Sequence, residues 1–157
     1  MSIAAVREYL ARFGLEDKVR EFAVSSATVE LAAQATGVIP ARIAKSLTFK
    51  VADKAVIIVT AGDAKVDNTK FKAAFHTKAK MLSPEEVEQL VGHAVGGVCP
   101  FAIKDTAEVY LDVSMKRFPT IFPAAGSASS AVELTCEQLE QAAQNFQGWG
   151  DFCKGNY

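Results

Sequence analysis

The sequence predicts a single mixed α+β domain, on three observations. Segments with helical spacing of apolar residues are interspersed with segments of strict alternation. Several of the alternating segments are joined by turns of hairpin length, which argues against a doubly wound parallel sheet. The chain has 157 residues, 50% of them hydrophobic, which suits one core and one domain over residues 1–157.

The first element is a helix. Ile3, Val6, Leu10 and Phe13 recur at spacings of three and four, Ser2 is its N-cap, and Gly14 stops it. A short strand is expected around Val19–Val24. Thr28 caps a second helix, VELAAQAT, which closes at Gly37, and Pro40 cannot extend it. From Ile43 the period becomes two, with Ile43, Lys45, Leu47, Phe49 and Val51 alternating with Ala44, Ser46, Thr48 and Lys50. A turn at Ala52-Asp53-Lys54 leads into AVIIVTAG, so the two runs form a hairpin. NTKFKAAF reads as a short helix capped by Asn68. Ser83-Pro84-Glu85-Glu86 is a strong helix start, with Ser as the cap, Pro at the first position and acids in the first turn; that helix ends near Gly92. GHAVGGVCPFAI is too glycine-rich for regular structure. EVYLDV is a strand, TIFPAAGSASSAVELT is a loop flanked by two more, and Thr135 caps a last helix, CEQLEQAAQNF. The tail QGWGDFCKGNY has little pattern.

Composition excludes several classes. Charged residues make up 22% of the chain and the formal net charge is −1, so a nucleic-acid partner would need a local basic patch. One exists: between Ala64 and Lys80 stand Lys65, Lys70, Lys72, Lys78 and Lys80 against a single acid, Asp67. It reads either as a solvated face or as a phosphate-contacting edge. Cys99, Cys136 and Cys153 are widely spaced and form no C-x-x-C pair, so they predict reduced structural thiols and no metal site. The N-terminus carries charges throughout, and no run approaches the ~18 apolar residues of a membrane span. A soluble cytoplasmic protein without a membrane partner is expected.

Lys45 is the single charge on the apolar face of its strand. Burying an unpaired ammonium is costly, so it either reaches a partner in a cavity or snorkels to water along its stem. Gly96-Gly97-Val98-Cys99-Pro100 is a second candidate, because glycines let the backbone approach a ligand and Pro100 stiffens the far end. Such a loop can hold a carbonyl oxygen or orient a water; it also serves as a plain connection. Asp112 ends its strand and reads either as the cap of the following turn or as a carboxylate for a substrate amine or for Lys45. Gly126 with Ser127, Ser129 and Ser130 makes another small polar loop. His76 and His93 lie in no recognisable nucleophile motif, G-x-S-x-G is absent, and nothing in the sequence offers Cys99 a base.

Taken in order, these pieces resemble the YbaK/EbsC family. TVELAAQATGVIPARIAKSLTF resembles the family segment in which Thr-Val opens a helix and a Lys-[ST]-Leu strand follows. GGVCP matches its G-x-x-x-P loop, and YLDVS with AAGSASSAVELT matches its later strands and glycine loop. The resemblance runs from the first helix to the last, and the family is similar to the inserted editing domain of bacterial prolyl-tRNA synthetases. It implies a curved, barrel-like, mostly antiparallel sheet flanked by helices. It also implies a cofactor-free, metal-free aminoacyl-tRNA deacylase acting in trans on mischarged tRNA, most simply tRNA(Pro) carrying Ala, Ser, Thr or Cys. By resemblance, Lys45 holds the aminoacyl-adenosine end, with Ser46 beside it. Gly96, Gly97, Val98, Cys99 and Pro100 position the ester carbonyl and the water. Thr28, Asp112, Gly126 and Ser127 complete the substrate pocket. The family is described as using the 2′-hydroxyl of the terminal adenosine rather than a protein nucleophile, which suits a chain without a triad: an activated ester needs mainly positioning and electrostatics. Where the cysteine-specific branch has an aromatic or histidine-rich stretch, this chain has EFAVSSA, which favours another small side chain. The lysines of residues 65–80 are expected to meet the tRNA, with prolyl-tRNA synthetase as a possible partner. The alternative is a module that binds aminoacyl-tRNA or a synthetase without turnover; a sensor of a free amino acid or nucleotide is a third, more remote one.

Overall fold

The computed structural model describes residues 2–155. In chain order the elements are α1 (Ile3–Ala11), β1 (Val19–Glu21), α2 (Val29–Thr36), β2 (Ile43–Val51), β3 (Lys54–Ala61), α3 (Asn68–Phe75), α4 (Pro84–Leu90), β4 (Ala107–Asp112), β5 (Phe122–Pro123), β6 (Ser130–Val132), α5 (Cys136–Ala142) and β7 (Phe146–Gly150). The caps act as their residue types dictate. Ser2, Thr28, Ser83 and Thr135 accept from backbone N–H groups of the first turns, and Ser83 with Glu86 and Thr135 with Gln138 complete reciprocal capping boxes. At α3 the cap is Asp67, whose carboxylate accepts from Lys70 N–H at 3.0 Å; the expected cap, Asn68, is the first helical residue. No helix among the described residues is long and apolar enough to cross a membrane.

Five strands form one sheet in the order β5-β2-β3-β4-β7, and β1 pairs with β6 apart from it. The single mixed α+β domain stands, but the sheet is mixed rather than mostly antiparallel. β2 and β3 form the expected antiparallel hairpin, while β5 on β2, β4 on β3 and β7 on β4 are parallel. For β4 on β3 the reason is the long connection from Ala61 to Ala107, which carries α3 and α4 and gives the chain the length a parallel crossover needs. The tail that showed little pattern supplies β7, and Val66 pairs with Cys153 in an isolated bridge.

Both faces of the sheet are covered. On one, Ala55, Ile57, Val59 and Ala61 of β3 and Val109 and Leu111 of β4 join Val6 and Leu10 of α1, Val87 of α4 and Leu139 of α5 in the main core. On the other, Phe49, Val56 and Ile58 meet Phe71 and Phe152. A third group, Ile43, Ala32, Ala33 and Phe122, seats α2 against the start of β2. The start of β2 is thus clamped by α2, and its end by an aromatic cluster.

Candidate functional site

A cleft of about 390 Å³ opens along the outer edge of β2. Its floor is the strand from Ile43 to Thr48. One wall is the start of α2, with Thr28, Val29 and Ala32; the other is Met81, Leu82, Pro84 and Val87 at the start of α4; Val95, Gly96 and Val98 close one end. Two of these, Met81 and Val95, are large apolar residues left exposed at 57% and 62%, so the rim is apolar.

Lys45 lies in this cleft, half buried. Its Nζ reaches Gly62 O at 3.5 Å, a distance at the weak limit of a hydrogen bond. Asp63 is engaged elsewhere: its carboxylate accepts from both terminal guanidinium nitrogens of Arg117, Nη2 at 2.6 Å and Nη1 at 3.1 Å. Among the described residues no carboxylate forms an ion pair with Lys45. Burial lowers the pKa of its ammonium and Lys65 adds to that, while Asp63 and Glu30 oppose it. Gly62 explains how the end of β3 comes so close to α2. A Cβ there would run into Pro40 O and stand 2.8 Å from Val29 Cγ1. The sequence reading passed over this glycine.

The glycine loops meet backbone to backbone. Gly96 adopts φ +95° and Gly126 φ +94°, conformations that favour glycine. A Cβ on Gly97 would stand 2.9 Å from Gly126 C and Ser127 N, and one on Gly126 would stand 2.7 Å from Val6 Cγ2. Gly97 N–H donates to Ala94 O at 3.0 Å, so this amide is spent within the loop. Ser127 Oγ donates to Ser130 Oγ at 2.8 Å, and Ser130 lines the cleft.

Of the residues expected from the sequence, Lys45, Ser46, Thr28, Gly96 and Val98 come together around the cleft. Gly97, Gly126 and Ser127 lie behind it as the packing that fixes the loop. Pro100 and Cys99 are buried beneath it. Cys99 does have a histidine neighbour after all, His93, whose Nε2 lies 3.5 Å from Sγ. Both residues are fully buried, His93 Nε2 donates to Phe101 O at 2.8 Å, and burial pushes the thiol up to about 12 while lowering the imidazole. The pair is neutral and sealed, which fits structure and not nucleophilic attack.

Asp112 is also placed away from the cleft. It is fully buried, its Oδ2 accepts from Ser114 N–H at 2.9 Å and its Oδ1 from Phe152 N–H at 2.8 Å. It caps the 3-10 turn Val113–Arg117 and ties the C-terminal segment to the sheet, the capping alternative of the sequence reading. The cleft residues that sequence reading missed, Ser26, Val29, Met81, Val87 and Val95, come from segments far apart in the chain. No local pattern in the sequence brings them together; the exposure of the apolar side chains of Met81 and Val95 is visible only in the structure.

Of the five lysines in the basic run, Lys70 is committed to structure: its Nζ bonds Asp151, Cys153 O and Gly155 O. Lys72 and Lys78 are exposed and line a second hollow of about 540 Å³ beside Asn68 and Thr69. Lys65 and Lys80 are exposed as well. Among the described residues no group of three or more His, Cys, Asp or Glu is placed to hold a metal ion.

Comparison with known proteins converges on one family. The model of the aminoacyl-tRNA editing domain matches residues 24–142. A Bacillus subtilis (strain 168) protein, "Uncharacterized protein YwhH", is 51% identical over 155 residues, covering 98% of both chains. The proline–tRNA ligase of Geobacillus sp. (strain WCH70) is 30% identical over 90 residues, which are 57% of this chain and 16% of the ligase, so the likeness is to one portion of that enzyme. A solved structure described as "a putative trans-editing enzyme for prolyl tRNA synthetase" superposes with a TM-score of 0.86 at 29% identity, covering 98% of this chain and 97% of the other. With three quarters of its length under one family model and its whole fold shared with such a structure, the chain belongs to the aminoacyl-tRNA editing domain family.

Proposed function

We propose that this protein is a deacylase that hydrolyses the ester of mischarged tRNA in trans, the tRNA being tRNA(Pro) carrying a small wrong amino acid such as Ala, Ser, Thr or Cys. Water adds to the ester carbonyl, the acyl–oxygen bond breaks, the amino acid leaves as its carboxylate and the terminal ribose recovers its hydroxyl. The observation that carries the reading is Lys45: a half-buried ammonium without an ion-pair partner among the described residues, in a cleft shared with Gly96 of the glycine loop. A cation held there supplies charge to oxygen atoms of the aminoacyl-adenosine end in a partly desolvated site, where such contacts are strongest. Lys45 positions the substrate; the terminal 2′-hydroxyl assists the water. The sealed state of Cys99 supports a route without a protein nucleophile. The cleft volume suits an aminoacyl-ribose and excludes bulk tRNA, which must lie outside. Lys72, Lys78, Lys80 and Lys65 are the exposed cations of the basic run, free to meet its phosphates, whereas Lys70 is structural.

The test is a deacylation panel of Ala-, Ser-, Thr-, Cys- and Pro-tRNA(Pro) with Ala-tRNA(Ala) and Ser-tRNA(Ser) beside it. At least one small-residue ester on tRNA(Pro) is expected to turn over faster than Pro-tRNA(Pro). Binding without any shortening of ester lifetime at saturating protein would replace the enzyme by a binding module. Lys72→Glu with Lys78→Glu is expected to raise KM and flatten its salt dependence while kcat holds; an unchanged salt slope would remove these lysines from the tRNA surface.

A further inference from the structure

The outer edge of β2 is covered at both ends and open between them. At its start, β5 pairs with it as far as Ala44 opposite Pro123. At its end, Leu82 N–H donates to Thr48 O at 3.1 Å and Lys50 N–H donates to Lys80 O at 2.9 Å. Among the described residues, nothing pairs with this edge from Lys45 to Leu47. In a strand the N–H and C=O of one residue point to the same side, and successive residues alternate. Thr48 and Lys50 bond outward, so Ser46 does too, while Lys45 and Leu47 turn their backbone groups to β3. One residue therefore presents a free N–H and a free C=O to the cleft. Its Oγ is buried without a hydrogen-bond partner as well.

We propose that this single-residue opening is the subsite for the aminoacyl group. The α-ammonium of the substrate donates to Ser46 C=O, and the ester carbonyl accepts from Ser46 N–H, as in one hydrogen-bonded pair of an antiparallel ladder. The inference rests on the deacylase reading above. An opening of three residues spans only about 10 Å, too short to add a peptide strand. It matches one extended aminoacyl unit, whose donor and acceptor lie on the same side at the spacing of a strand residue. Directly opposed residues of an antiparallel pair place their side chains on one face. The substrate side chain therefore falls on the Ser46 face, where Ala44, Leu82, Val87 and Val98 belong to one apolar cluster, and Lys45 stands on the other face toward the adenosine. Selection of a small side chain then follows from that apolar wall, and selection of an α-amino acid from the strand edge.

The probe is 3′-(L-alanylamido)-3′-deoxyadenosine, a non-hydrolysable mimic of the aminoacyl-adenosine end, added to the wild-type protein and followed by amide NMR and hydrogen exchange. Ser46 N–H is expected to exchange freely in the unliganded protein and to slow about tenfold or more at saturation. The propionyl analogue, which lacks the α-amine, is expected to bind about tenfold or more weakly. Saturation that shifts the Lys45 and Gly96 amides but leaves Ser46 exchange unchanged would overturn the subsite while sparing the deacylase reading. Equal affinity for the propionyl analogue would overturn the pairing of the amine with Ser46 C=O. A probe that does not bind the cleft at all would remove the deacylase reading and this subsite together.

Discussion

The two ends of β2 are built for different purposes. From Thr48 onward, both edges of the strand are paired and the side chain of Phe49 enters an aromatic cluster, with ring centroids 4.9 Å from Phe71, which is itself 4.7 Å from Phe75. Among the described residues, nothing pairs with the outer edge from Lys45 to Leu47, and the one charged side chain there has a carbonyl at 3.5 Å as its hydrogen-bond partner. One strand thus combines a closed, stabilising half with an incomplete half that a ligand can complete. The closed half holds the backbone still, so that the open half can present Lys45 and Ser46 in fixed positions.

The contrast is broken most severely at the closed end. Phe71→Ala removes a fully buried ring and is expected to destabilise the fold by about 3–5 kcal/mol, read as a loss in urea midpoint, while molecules that remain folded keep their substrate preference. Asp112→Asn exchanges a buried carboxylate that accepts two backbone N–H bonds for a group that can accept in only one direction. A loss of about 1.5–3 kcal/mol is expected, with the C-terminal segment loosening first in hydrogen exchange. His93 sharpens the comparison by pH. Its imidazole pKa is lowered by burial, so below the ordinary histidine value the unfolded chain takes up a proton that the native state refuses. Stability contributed by neutral His93 is complete above about pH 6.5 and falls as pH drops through that value toward the lowered one, by up to about 1.4 kcal/mol per pH unit. His93→Phe is expected to remove that acid limb from a plot of unfolding free energy against pH.

The smallest expected effect on stability comes from the open end. Because burial lowers the Lys45 pKa, the native state holds that proton less firmly than the unfolded chain does. The charge therefore costs stability below the lowered pKa, and the cost fades as pH rises toward the ordinary lysine value. Lys45→Met is expected to leave the thermal midpoint unchanged or to raise stability by up to about 1 kcal/mol at neutral pH, the usual signature of a site residue kept against stability. A clear loss of stability would make Lys45 a structural residue.

Local chemistry was legible in the sequence wherever it is short-range. The caps at Ser2, Thr28, Ser83 and Thr135 and the β2–β3 hairpin follow from spacings of a few residues. Lys45 stood out because one charge in a run of alternating apolar residues needs an explanation. What depended on distant partners was not legible. β7 lacks alternation because two of the four residues of QGWG are glycines, and it takes its place by parallel pairing with β4, across a bulge between Val109 and Tyr110. The directions of β4, β5 and β7 depend on crossovers whose path no local pattern records. The meeting of His93 with Cys99, and the hydrogen bond that Phe152 N–H donates to Asp112, arise only once the loops fold back. The glycine pattern at 96–97 and at 126 was visible, but its meaning, two backbones in contact, needed the three-dimensional arrangement.

The most direct test of the central claim is single-turnover deacylation of the best small-residue ester of tRNA(Pro) by wild-type protein and Lys45→Ala at saturating protein, with thermal unfolding of both measured in parallel. The variant is expected to fold with an unchanged midpoint and to lose about 100-fold or more in rate, the scale of losing one charged contact to the transition state. A folded Lys45→Ala protein that deacylates at the wild-type rate would contradict it.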